Sequence, residues 1–133
     1  MRAFGLCNFV FLLGLIFSFS LFNSVKSSYS KVENDALIVA ADGGDFESVR
    51  DLIEGNKANL NHVDEKYKRT ALICASFQGH EKIVEYLLAQ KDILVNCKDY
   101  SANTALHLAT RRRHTGVVKL LISHKDIDVN PVD

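Results

Sequence analysis

The sequence predicts an all-α solenoid, a stack of helix-turn-helix units, and three observations carry that prediction. The first is internal repetition. Thr104, Ala105, Leu106, His107, Leu108 and Ala109 stand 34 residues after Thr70, Ala71, Leu72, Ile73, Cys74 and Ala75, and those stand 35 after Asp35, Ala36, Leu37, Ile38, Val39 and Ala40. Similar steps relate Val49, Val84 and Val118, then Leu52, Leu87 and Leu121, then Asn61, Asn96 and Asn130, and then Asp64, Asp99 and Asp133. The second is a helical period inside each unit, with apolar residues at i, i+3 and i+4. The third is length: 133 residues hold three such units, about the minimum for a stack in which each unit buries its apolar face only against its neighbours.

The chain begins with a segment of another kind. Arg2 supplies a short positive start, Phe9 to Phe22 is an apolar run broken only by Gly14, Ser18 and Ser20, and Val25 and Ser27 supply small residues at cleavage spacing. Residues 1–27 are therefore expected to form a secretory signal peptide, making the chain a secreted protein. An uncleaved membrane anchor is the alternative, because Ala3 to Cys7 extend the run nearly to the ~20 apolar residues that a span needs. Residues 28–33 read as a short linker and 34–133 as the array, with units at about 34–63, 64–98 and 99–133.

Within each unit the first helix has a defined start. The Thr70 and Thr104 hydroxyls can accept backbone N–H groups of the first turn, and Asp35 is expected to do the same in unit one. Leu37 with Ala40 and Ala41, Leu72 with Ala75, and Leu106 with Ala109 then place apolar residues at helical spacing, with alanines that let stacked helices approach closely. A turn follows at Gly43 and Gly44, at Gln78 and Gly79, and at Arg112 and Arg113. The second helix carries Val49, Leu52 and Ile53; Ile83, Val84, Leu87 and Leu88; or Val117, Val118, Leu121 and Ile122.

A period near 34 with a T-x-L-H-x-A start resembles the ankyrin repeat, whose unit is a short β-turn finger followed by two antiparallel helices. The resemblance implies a protein-binding module that works through the fingers and the exposed side of the inner helices, a concave face. Carried onto this sequence, the fingers are Glu65, Lys66, Tyr67, Lys68 and Arg69, then Tyr100, Ser101 and Asn103. The helix positions are Asp42, Phe77, Gln78, Arg111 and Arg112. Tyrosine, phenylalanine and arginine are the types enriched at binding hot spots, so the expected partner-binding set is Tyr67, Lys68, Phe77, Gln78, Tyr100, Ser101, Asn103, Arg111 and Arg112. The resemblance also assigns Thr104 and His107 to stabilising the helix start, and His80 and His114 to a usual place after the inter-helix turn.

Composition agrees with binding rather than catalysis. Sixteen Lys and Arg balance sixteen Asp and Glu, which gives no overall pull towards nucleic acid. The balance is uneven along the chain: residues 34–63 sum to −4, whereas each later unit is near +1. Two cysteines lie in the array, Cys74 in an inner helix and Cys97 in a loop, and both suit packing better than a disulfide. The five histidines fall at repeat or loop positions, so no metal site is expected. Asp42 and Asp45 flank Gly43 and Gly44 as a turn and helix start rather than an acid–base pair. No nucleophile-base spacing and no phosphate-cradling glycine loop is found, and neither enzymatic activity nor a cofactor is expected.

Departures from the family pattern are informative. Alanine replaces the usual proline of the motif at Ala36, Ala71 and Ala105. One extra residue around Lys66 to Lys68 makes the first finger irregular at its tip. Arg113 stands where the turn has Gly44 and Gly79 in the other units. The third unit ends at Asn130 to Asp133 without a polar cap, which leaves its outer-helix stripe partly uncovered and open to self-association through that end.

Overall fold

A computed structural model describes residues 31–129. The leader, its cleavage point, the first half of the linker and the Asn130–Asp133 end all lie outside the described residues. The chain separates into two units, residues 1–32 and 33–133, and the array occupies the second. Among the described residues there are six helices and no β-strand. Residues 31–43 form α1, and the rest are α2 (Phe46–Glu54), α3 (Ala71–Gln78), α4 (Glu81–Leu88), α5 (Ala105–Arg111) and α6 (Thr115–Ile122). None of them is long and apolar enough to cross a membrane.

The helices pair as the repeat requires. Inner helix α3 packs on α5 and on its own outer helix α4, α5 packs on α6, and the outer helices stack α2 on α4 on α6. Leu37, Ala41, Val49, Leu72, Ala75, Val84, Leu87, Leu108, Ala109, Val117 and Leu121 belong to one buried cluster that runs through all three units. The central inner helix differs from a one-faced stripe: Ala71 to Ser76 are six consecutive buried residues, because α3 has neighbours on several sides. In the third unit Val118 is half-buried, while Ile122 and Val129 are 53% and 54% exposed. The expected stripe is therefore uncovered only in part, since Val117 and Leu121 have no exposed surface and Ile122 alone of its members is exposed.

Caps and turns repeat as closely as the core. Thr70 accepts from Ile73 N at 3.2 Å and Thr104 from His107 N at 3.3 Å; in the latter the His107 ring also receives the Thr104 N–H, closing a capping box. Asp35 does not cap α1. It lies inside that helix, which starts earlier than the repeat alignment suggests, and its carboxylate instead meets His62 Nε2 at 3.1 Å. Each inner helix ends in a left-handed residue, Gly44 (φ 80°), Gly79 (φ 83°) and Arg113 (φ 60°), and the next N–H bonds back to Ala40, Ala75 or Ala109 at 2.9 Å each time.

The repeated Asn and Asp positions acquire roles. Asn61 Nδ2 donates to the Asp92 carbonyl while its Oδ1 accepts from Leu94 N, and Asn96 does the same with Asp126 and Asp128. Each Asn thus ties its own loop to that of the following unit. Cys74 and Cys97 are both unbridged. Burial, with lesser effects from Asp42 and Asp64, pushes the Cys74 thiol up to about 12, which marks it as a packing residue rather than a nucleophile.

Candidate functional site

The site begins with the two fingers, which the chain builds by the same device. The Asp64 carboxylate accepts from Arg69 N at 2.6 Å and Tyr67 N at 3.2 Å; the Asp99 carboxylate accepts from Ser101 N and Asn103 N, both at 2.9 Å. A short carboxylate that folds back on its own loop is what makes such a turn rigid. The extra residue of the first finger is visible as a five-residue reach from Asp64 to Arg69, against four from Asp99 to Asn103. Lys68 (φ 55°) and Ala102 (φ 61°) take the left-handed positions of the two turns. Tyr100 N donates to the Tyr67 carbonyl at 2.9 Å, so adjacent fingers are locked to each other.

Between the second finger and the inner helices lies a cavity of about 450 Å³. Arg69 enters it from the first finger, Asp99, Ser101 and Asn103 from the second, Phe77 from the end of α3, and Leu108, Arg111 and Arg112 from α5 and its C-cap. The Arg69 guanidinium lies 5.0 Å from the Phe77 ring centroid and that of Arg112 lies 4.0 Å from it. Arg69 is also 5.0 Å from the Tyr67 ring. An aromatic face attracts a cation through its quadrupole, and arginine stacks on it readily. Phe77 therefore gathers two guanidiniums from different units onto one spot.

The charges of the cavity are unequal. Three guanidiniums face one carboxylate, that of Asp99, whose side chain is only 4% exposed. Asp99 Oδ1 is engaged by the finger's own N–H groups, and Oδ2 lies 3.7 Å from Arg69 Nε, an ion pair too long for a hydrogen bond. Arg69 Nε is buried and has no hydrogen-bond partner among the described residues.

Of the nine residues expected from the sequence, Phe77, Ser101, Asn103, Arg111 and Arg112 line this cavity. Tyr67 and Tyr100 flank it as exposed finger residues, 45% and 77% accessible. Lys68 sits at the tip of the first finger, and Gln78 faces the other way along the stack, donating to Asp42 Oδ1 at 3.1 Å. Arg69, Asp99 and Leu108 also line the cavity and lie outside that set, Arg69 being a first-finger residue that is not counted among the expected binding residues. The repeat of Asp64 at Asp99 was the available signal for Asp99; Leu108 reads in sequence only as core. No group of three or more His, Cys, Asp or Glu able to hold a metal is found among the described residues.

Comparison with known proteins accords with this architecture. The family model for ankyrin repeats (3 copies) matches residues 19–99 and 37–133. Among solved structures, a chain of the complex between the predatory endopeptidase Bd0816 of Bdellovibrio bacteriovorus and the immunity protein Bd3460 aligns with a TM-score of 0.63 and 34% sequence identity. The alignment covers 68% of this chain and 46% of that one, so the present chain spans less than half of the structure it matches. A search of curated proteins found no significant match.

Proposed function

Since the chain belongs to the ankyrin-repeat family, we propose that it is a protein-binding module, without catalytic activity, that engages its partner through the face formed by the two fingers and the inner helices. The observation that carries this reading is the convergence of Arg69, Phe77 and Arg112, from three separate stretches of chain, beside the exposed Tyr67 and Tyr100. Large aromatic and guanidinium groups held in place by packing lose little conformational freedom when a partner covers them. The test is capture of partners with the full-length chain, followed by Tyr100→Ala with Arg112→Ala. Binding should weaken while the thermal melt stays nearly unchanged. Unaltered affinity removes the face from consideration, and an equal loss of both properties assigns these residues to structure.

A second, narrower reading concerns the partner. The similar solved structure pairs an immunity protein with an endopeptidase, which favours a peptidase as the protein that this chain binds and restrains. Inhibition assays of captured peptidases with the purified chain test it; capture without inhibition counts against it. The leader supports a route through the secretory pathway, with a mature secreted chain starting at Ser28, and retention of residues 1–27 would make the protein a membrane-anchored scaffold instead. Mass spectrometry of the N-terminus separates the two. Exposed Ile122 and Val129 support self-association through the end of the third unit, which sedimentation at increasing concentration measures.

A further inference from the structure

The guanidiniums around Phe77 are arranged for a ligand of defined chemistry. A guanidinium stacked on a ring uses its face, which leaves its in-plane N–H donors for an acceptor. The Arg112 guanidinium lies over the Phe77 ring, 4.0 Å from its centroid, and neither it nor Arg111 has a carboxylate within ion-pair distance among the described residues. Arg69 Nε is buried beside the same cavity without a hydrogen bond. The only acidic group lining the cavity among the described residues, Asp99, is committed to its own finger and to Arg69. The cavity therefore holds an excess of positive charge and of unused donors, with Ser101 and Asn103 adding neutral polar groups at its rim.

We infer that this cavity receives an aspartate or glutamate side chain presented by a loop of the partner protein, its carboxylate bridging Arg69, Arg111 and Arg112. The inference rests on the protein-binding reading above and specifies the chemistry of its central contact. A carboxylate matches the planar fork of an arginine with two parallel N–H···O bonds. A nucleic-acid backbone fits poorly, because it calls for a basic track several phosphates long, whereas the chain as a whole is neutral and the positive groups converge on one spot.

The test is a titration of the full-length, ¹⁵N-labelled chain with the capped tripeptide acetyl-Gly-Glu-Gly-amide, with its glutamine counterpart and with inorganic phosphate, following the arginine Nε–H signals. The glutamate peptide should shift the Arg69, Arg111 and Arg112 signals saturably in the millimolar range and bind about tenfold more tightly than the glutamine peptide, as expected for a charge-assisted contact. Arg111→Gln with Arg112→Gln, two exposed positions, should abolish that preference without lowering the melt. Equal binding of the two peptides, no shift at millimolar peptide, or phosphate binding as tight as the glutamate peptide would each overturn the inference. The broader reading is judged separately by Tyr100→Ala, since Tyr100 does not line the cavity: loss of partner affinity there, with no peptide preference, retains the binding face and removes the carboxylate.

Discussion

His114 Nε2 lies 3.0 Å from the carbonyl oxygen of Phe77, so the residue that opens the outer helix of unit three holds the end of the inner helix of unit two. His80 repeats the contact one unit earlier, 3.0 Å from the Asp42 carbonyl. A carbonyl only accepts, so the ring nitrogen facing it carries the proton. Neither histidine caps its own helix, whereas the equivalent residue of unit one, Asp45, does so by accepting from Ser48 N at 3.2 Å. These rings tie each unit to the one before it, and the His114 contact holds the backbone of Phe77, whose ring lies beneath the guanidiniums.

His114→Ala removes that donor and leaves the Phe77 carbonyl unpaired. A loss of about 1–3 kcal/mol is expected, read as a lower midpoint in urea with the slope unchanged, together with a weaker ordering of Arg112 on Phe77. A midpoint within error of the parent would show that the contact contributes nothing to the stack.

The left-handed turns make a paired prediction. At Arg113 a side chain occupies a conformation that suits glycine, so Arg113→Gly should stabilise by up to about 1 kcal/mol. At Gly79 an added Cβ would stand 2.6 Å from His114 Nδ1 as well as at φ 83°. Gly79→Ala should therefore cost more than Arg113→Gly gains, because strain and the displaced ring add. Thermal melts of the two variants, moving in opposite directions, check the pair.

Leu87 on α4 has no exposed surface and belongs to the cluster that joins the units. Leu87→Ala should cost on the order of 2–5 kcal/mol, enough to unfold much of a small array. A change below about 0.5 kcal/mol, the scale of surface substitutions, would contradict its central place.

The Cys74 thiol, buried and held at about 12 instead of 9.0, should resist alkylation at pH 8 until the array unfolds. Its linkage has a definite sign: the folded state disfavours the thiolate, so Cys74 leaves stability unaffected below the unfolded value and erodes it as pH rises from 9.0 towards 12. Cys74→Ala should flatten that alkaline decline. Mass spectrometry of alkylated chain and urea melts between pH 8 and 10 provide the two measurements.

Much of this molecule is legible one residue at a time. The threonine caps at Thr70 and Thr104, the left-handed turn glycines and the inner and outer stripes follow from capping, φ preference and the 3.6-residue period, all of which act within about one helical turn. Repetition then extends them across the chain, since an interaction that closes one unit on the next must recur at the unit's own period. The repeated Asn61 and Asn96 were visible as spacing; the loops that they tie together were not.

Tertiary structure alone decided the rest. The sequence placed Phe77, Arg111 and Arg112 on one face, but stacking of units set Arg69 and Arg112, 43 positions apart, over the same ring. It also enclosed Asp99 as the cavity's acidic member, turned Gln78 towards Asp42, and took Asp35 from a capping role into a pair with His62. Local rules specify each unit because their forces act between near neighbours in the chain, whereas the cavity exists only where side chains from two fingers and two inner helices meet, and its charge depends on the distances that stacking imposes.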